Sequence, residues 1–177
     1  MLICCGVSGS GKTTLARALA EVYAFDFVEA DDFHSTENRA HMAAGQPLDE
    51  HMRAPWIESI CTHLSDVRAA GRGVVMSNSC LRRAHRDRYR TIGFQTRFLY
   101  LHGEHAVIQA RMDNRSGHFM PSTLLSSQFL DLENPSGEAD VISLNVQQKL
   151  PEILACARNL LDDDISSWLS ARSSTCY

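Results

Sequence analysis

The sequence predicts an α/β domain in which helices cover both faces of a parallel sheet. Apolar runs of strand length recur at Leu2 to Val7, Phe25 to Ala30, Gly73 to Ser77, Arg97 to Leu101 and Asp140 to Asn145. Segments long enough for a helix separate them, which is βαβ alternation. Three of those segments carry apolar residues at helical spacing: Leu15, Ala16, Leu19, Ala20 and Val22; then Trp56, Ile57, Ile60, Leu64 and Val67; then Val107, Ile108 and Met112. The strand runs are continuously apolar rather than alternating, as expected of a sheet buried on both faces.

At 177 residues the chain has the size of a single domain, 1–177, able to bury about two-thirds of its unfolded surface. Its 17 basic and 21 acidic residues give a net charge of -4, which disfavours general adhesion to nucleic acid or anionic membrane. Any anion must therefore be bound locally. No run approaches 18 apolar residues, and Met1-Leu2-Ile3-Cys4-Cys5-Gly6 lacks a basic region, so a cytoplasmic enzyme is expected. The six cysteines show no CxxC pair, and reduced, buried thiols are expected rather than a zinc site or disulfides. Asp162-Asp163-Asp164, followed by Ser166, Ser167, Ser170, Ser173 and Ser174, reads as a helix end and a frayed polar tail over about 163–177.

Gly6-Val7-Ser8-Gly9-Ser10-Gly11-Lys12-Thr13 fits G-x-x-x-x-G-K-[ST], directly after the first strand run and opening the first helical pattern. This is a P-loop. Its glycines let successive backbone N–H groups turn toward one anion, and the helix start adds partial positive charge. Gly6, Ser8, Gly9, Ser10, Gly11, Lys12, Thr13 and Thr14 are thus the expected ATP phosphate site. Lys12 reaches the β and γ oxygens, and the Thr13 hydroxyl serves Mg²⁺. No N-K-x-D guanine signature is present, and no D-x-x-G follows the third strand, which argues against a GTPase switch.

The second strand run ends in Glu29-Ala30-Asp31-Asp32-Phe33-His34, with Glu29 and Asp31 on one side of the chain at period two. A carboxylate there can orient an acceptor hydroxyl and take its proton, and a second can help hold Mg²⁺. Asp31 is the expected catalytic base and Glu29 the metal-side carboxylate.

With Asn38, Met42, Gly45, Pro47-Leu48, Arg53 and Pro55-Trp56 added to Asp31 and His34, the segment resembles the D-x-x-H-P-x-x-N-x-x-K-M-x-x-G-x-P-L-x-D-x-D-R-x-P-W block of the gluconate kinase (gluconokinase) family. Ser79, Leu81, Arg86 and Asp87 resemble its C-S-A-L-K-x-x-Y-R-D stretch. Arg111, Arg115, Gly117-His118-Phe119, Gln128-Phe129, Leu132-Glu133 and Pro135 resemble its lid region, about 111–135. The resemblance implies an adenylate-kinase-like, three-layer α/β/α fold with a five-stranded parallel sheet and a helical lid. It also implies transfer of the ATP γ-phosphate to the C6 hydroxyl of D-gluconate, and it is compatible with a homodimer.

An anionic polyol needs a fixed cation and hydroxyl partners. Arg53 is the expected cation, with His34, Ser79, Arg86 and His118 completing the substrate side. Arg111 and Arg115, four apart on a helix, have the placing of lid arginines that reach the ATP and the transferring group. In the dense run Arg82, Arg83, His85, Arg86, Arg88 and Arg90, positions 82, 86 and 90 share a helix face, expected to turn one edge toward an anionic pocket and leave the rest solvated.

The chain departs from the family block at Ser35, His41, His51, Met52, Asn78, Arg82 and His85. Two other readings compete. A shikimate kinase-like enzyme would show a glycine cluster after the third strand, where Asn78-Ser79-Cys80 stands. A noncatalytic nucleotide-binding module would have no use for Asp31, Arg53 and the lid arginines.

Overall fold

The computed structural model describes residues 1–113 and 123–173. Five strands, β1 (Leu2–Cys5), β2 (Asp26–Glu29), β3 (Val74–Ser77), β4 (Arg97–His102) and β5 (Val141–Asn145), form one sheet in the order β2-β3-β1-β4-β5. Every pairing is parallel, and β1 sits in the middle, with Leu2 opposite Val75 on one side and Arg97 on the other. The helices are α1 (Lys12–Tyr23), α2 (Thr36–Ala43), α3 (Glu50–Ala69), α4 (Arg83–Arg90), α5 (His105–Asp113), α6 (Thr123–Asp131) and α7 (Leu150–Ser173), with a short 3₁₀ turn at Ala30–Phe33.

Strand alternation divides the interior into two cores. Leu2, Cys4, Val75, Leu99 and Leu101 face one side, where Leu15 and Leu19 of α1 and Leu161 of α7 pack. Ile3, Cys5, Val74, Met76 and Phe98 face the other, against Trp56, Ile60 and Leu64 of α3 and Tyr89 of α4. This is the three-layer α/β/α arrangement expected from the uninterrupted apolar runs. Cys4, Cys5, Cys61 and Cys80 are free and buried within it. Burial pushes the Cys5 thiol up to about 12 and raises Cys4 and Cys80 well above the ordinary range, so none supplies a thiolate.

One expectation needs correction. Of the expected tail, the described residues up to Ser173 are not frayed but belong to α7. Tyr23 Oη donates to Asp162 Oδ1 at 2.6 Å, Arg97 Nε to Asp164 Oδ2 at 2.7 Å, and Ile165 is buried, so long-range partners hold what composition alone marks as a tail. Helix α3 begins at Glu50, ahead of the Pro55-Trp56 pair. Asp49 caps it, accepting from Met52 N at 2.8 Å, and Pro55 lies one and a half turns inside. Pro55 deprives the His51 carbonyl of its helical donor, a cost limited by the exposure of that turn. Arg53 is consequently a helical residue.

Candidate active site

The phosphate loop leaves β1 at Gly6, where φ is +134° and a Cβ would stand 2.5 Å from the Leu101 carbonyl oxygen, so glycine alone fits. Gly9 has φ +78°, and a Cβ there would meet Met112 of α5 at 2.4 Å. Helix α1 then starts at Gly11 with no side-chain cap and no acidic residue in its first turn. Its leading N–H groups and positive end are left for an anion. Lys12 Nζ folds back to the Val7 carbonyl at 2.9 Å, and the buried Ser10 Oγ has no hydrogen-bond partner among the described residues. Burial lowers the Lys12 pKa, while the Asp31 and Glu29 carboxylates pull it back up.

Beside the loop, Thr13 Oγ1 donates to Glu29 Oε2 at 2.8 Å and lies 3.3 Å from Ser77 Oγ. Burial raises the Glu29 pKa against the lowering effect of the Thr13 hydrogen bond. The Glu29 carboxylate and the Thr13 and Ser77 hydroxyls thus form a hard-oxygen set that fits Mg²⁺, which needs only one or two protein carboxylates when phosphates supply the rest. Among the described residues no group of three or more His, Cys, Asp and Glu forms a metal cage.

Lys12, Glu29, Asp31, His34, Arg53 and Ser79 line one cavity. The 3₁₀ turn after β2 brings Asp31 and His34 together, and Arg39 of α2 fixes that turn by donating to the Asp31, Asp32 and His34 carbonyls. His34 stacks on Trp56, ring centroids 4.3 Å apart, with its Nε2 3.9 Å from Asp31 Oδ1. Burial lowers the His34 pKa, against the opposing pull of Asp31, so its ring is neutral at pH 7 and available to a hydroxyl. Ser35, where the family pattern has proline, caps α2 by accepting from Asn38 N at 3.1 Å.

Ser79 is positioned by main chain. Gly6 N donates to the Ser79 carbonyl at 3.1 Å, Asn78 N to the Cys4 carbonyl at 3.0 Å, and Asn78 Oδ1 accepts from Cys80 N at 2.9 Å. The turn is tight enough to put Cys80 at φ +46°.

Other expected positions fall elsewhere. Arg86 is 1% exposed and does not reach the cavity. Its guanidinium donates to the Cys80, Leu81 and Glu133 carbonyls and pairs with Glu138 at 2.6 Å. The expectation that one edge of the basic run meets an anionic ligand gives way to internal pairing: Arg82 with Asp131 and Glu50, Arg88 with Glu58, Arg90 with Glu138 and Asp140. Arg111 of α5 donates to the Val146 carbonyl. Arg115 and His118 lie outside the described residues.

Sequence spacing alone missed the partners contributed by α6 and α3. Asp131 Oδ2 accepts from Arg53 Nη2 at 2.6 Å and its Oδ1 from Arg82 Nη2 at 2.8 Å. Gln128 Oε1 accepts from Ser8 N at 2.6 Å. Glu50 stands 3.2 Å from His85 Nε2. The i, i+3 spacing of Gln128 and Asp131 was the available sign that both share a helix face.

Comparison with known proteins agrees with this geometry. A family model described as an AAA domain matches residues 1–134. A probable gluconokinase of Mus musculus is 37% identical over 178 residues, covering 91% of this chain and 97% of the relative. Among solved structures, a sugar kinase from Janibacter sp. superposes with a TM-score of 0.87 at 39% identity, covering 91% of this chain and 93% of the other. A gluconokinase from Sinorhizobium meliloti gives 0.84 at 38% identity, covering 97% and 96%. With a P-loop opening onto one cavity, and with identities of 37% to relatives of this kind over nearly their whole length, the chain belongs to the gluconokinase family.

Proposed function

We propose that the chain transfers the γ-phosphoryl group of Mg²⁺-bound ATP to the C6 hydroxyl of D-gluconate. The observation that carries this reading is the convergence of the phosphate loop, Asp31 and Arg53 on one cavity. Backbone N–H groups of the loop and the start of α1 hold the β and γ phosphates, with Lys12 leaving the Val7 carbonyl for them. The unpartnered Ser10 Oγ gains an acceptor when a phosphate oxygen arrives. Thr13 and Glu29 are the residues that would hold Mg²⁺, whose charge, when bound, offsets that of the phosphates.

Asp31 accepts the proton of the acceptor hydroxyl and aligns it for in-line attack. His34 and Ser79 hydrogen-bond the polyol, and Arg53 pairs with its carboxylate. Arg115, and Arg111 once it exchanges the Val146 carbonyl for a phosphate, complete the ATP side. Among the described residues no helix is long and apolar enough to cross a membrane, and the proposal includes a homodimer working in the cytoplasm, its mass read by light scattering.

ADP release with Mg²⁺·ATP against gluconate, glucose, shikimate, a nucleoside monophosphate and no acceptor tests the reading. Release with gluconate alone, and a phosphate at C6 by ³¹P and ¹³C NMR, is expected. Turnover only with another acceptor overturns the substrate, and ATP binding without turnover overturns the enzyme.

A further inference from the structure

The cation assigned to the acceptor is already engaged. Asp131 gives each carboxylate oxygen to a different arginine, Arg53 at 2.6 Å and Arg82 at 2.8 Å. The next nearest carboxylate is Glu50, 3.5 Å from Arg53 and 3.4 Å from Arg82. Of the two acids only Asp131 lines the cavity, and its side chain is 23% exposed beside an Arg53 side chain that is 13% exposed. Both ends of the short pair can therefore be reached from the acceptor side.

An incoming carboxylate would be the third on two arginines, and like charges crowded on one cationic site repel. Entry of an anionic acceptor thus requires one resident carboxylate to leave, and Asp131 is the one within the cavity. One turn earlier on the same face of α6, Gln128 Oε1 sits on the Ser8 N–H of the phosphate loop. The helix offers a side-chain oxygen to the donor half of the site and a carboxylate to the acceptor half.

We propose that Asp131 is a resident substitute for the acceptor's carboxylate, holding Arg53 and Arg82 until an acid exchanges for it, so that it sets both the affinity for sugar acids and the rejection of neutral sugars. This rests on gluconate being the acceptor. A neutral sugar offers the arginines nothing better than Asp131 and leaves the pair closed. The exchange is carboxylate for carboxylate, with no net change in charge on the arginines. Glu50 keeps both arginines ordered during it. Asp131 acts through Arg53 and is a positioning residue.

The test is D131N beside the unaltered enzyme. If Arg53 is open in about one molecule in ten, the gluconate KM carries roughly a tenfold penalty, which the substitution removes. The expected result is a gluconate KM lower by about tenfold, with kcat and the ATP KM within about twofold. An unchanged or raised gluconate KM makes Asp131 a fixed strut and overturns the proposal. A second measurement does not need that variant to fold. Asp31 and Asp131 are the two aspartates lining the cavity, so in D31N protein with ¹³C-labelled aspartate carboxyls Asp131 alone reports from it. Burial raises the Asp131 pKa, but the Arg82 and Arg53 hydrogen bonds outweigh it and hold the carboxyl below its usual range. Titrated with gluconate and separately with acetate, that carboxyl is expected to return toward the ordinary aspartate range. An unmoved signal with both overturns the exchange. If the unaltered enzyme shows no turnover with gluconate, the acceptor reading falls, and the acetate titration alone decides the exchange.

Discussion

Replacing Arg86 with methionine separates a structural arginine from a substrate-binding one. The side chain is 1% exposed, and its guanidinium satisfies the Cys80, Leu81 and Glu133 carbonyls as well as Glu138. Breaking a buried pair by removing one partner costs about 3–5 kcal/mol. Arg90 still pairs with Glu138 in the variant, which keeps that carboxylate compensated and favours the lower end of the range. Three carbonyls lose a donor, and methionine recovers part of the packing. A loss of about 3 kcal/mol corresponds to a melting temperature lower by roughly 6–12 °C for a chain of this size. Differential scanning calorimetry measures it, and gluconate KM well below the transition is expected to stay within about twofold. A variant that melts within about 2 °C of the parent while its gluconate KM rises by about tenfold or more would refute the structural assignment.

Asp31→Asn is expected to lower kcat by about 10²–10⁴-fold while ATP affinity by calorimetric titration stays within about threefold, and near-normal turnover would remove Asp31 as the base. Glu29 binds its proton more tightly folded than unfolded, because burial raises its pKa above 4.5, so ionising it costs stability as pH rises through that value and the raised folded pKa. Glu29→Gln should therefore raise the metal-free melting temperature at pH 7 but not below about pH 4, and demand more Mg²⁺ for half-maximal turnover. Truncation after Asp163 removes Asp164 from Arg97 and the buried Ile165, and should destabilise by about 2–5 kcal/mol in urea unfolding; an unaffected midpoint would restore the frayed tail.

What could be read from the sequence was local. The loop from Gly6 to Thr13 declares itself because phosphate binding needs those residues consecutively, and the strands because parallel sheets need unbroken apolar runs. The helix face shared by Arg82, Arg86 and Arg90 was visible too, but not what it meets. Its acids lie far along the chain, Asp131 49 residues from Arg82 and Glu138 52 from Arg86. Arg53 was recognisable as a cation, yet its strongest partner is 78 residues distant. Tail composition misled for the same reason: serine and aspartate set helix propensity, whereas Tyr23 and Arg97 supply the anchoring.

The turn at Asn78-Ser79-Cys80 is tied to Gly6 and Cys4 through backbone atoms, while Asp31, His34 and Arg53 come from the 3₁₀ turn and α3. Registry between the phosphate loop and the wall opposite is hence set by main-chain atoms rather than by side-chain hydrogen bonds. The cavity wall built by α3 can therefore change without disturbing that registry, whereas the 3₁₀ turn, which carries Asp31, cannot be altered independently of the proposed transfer step.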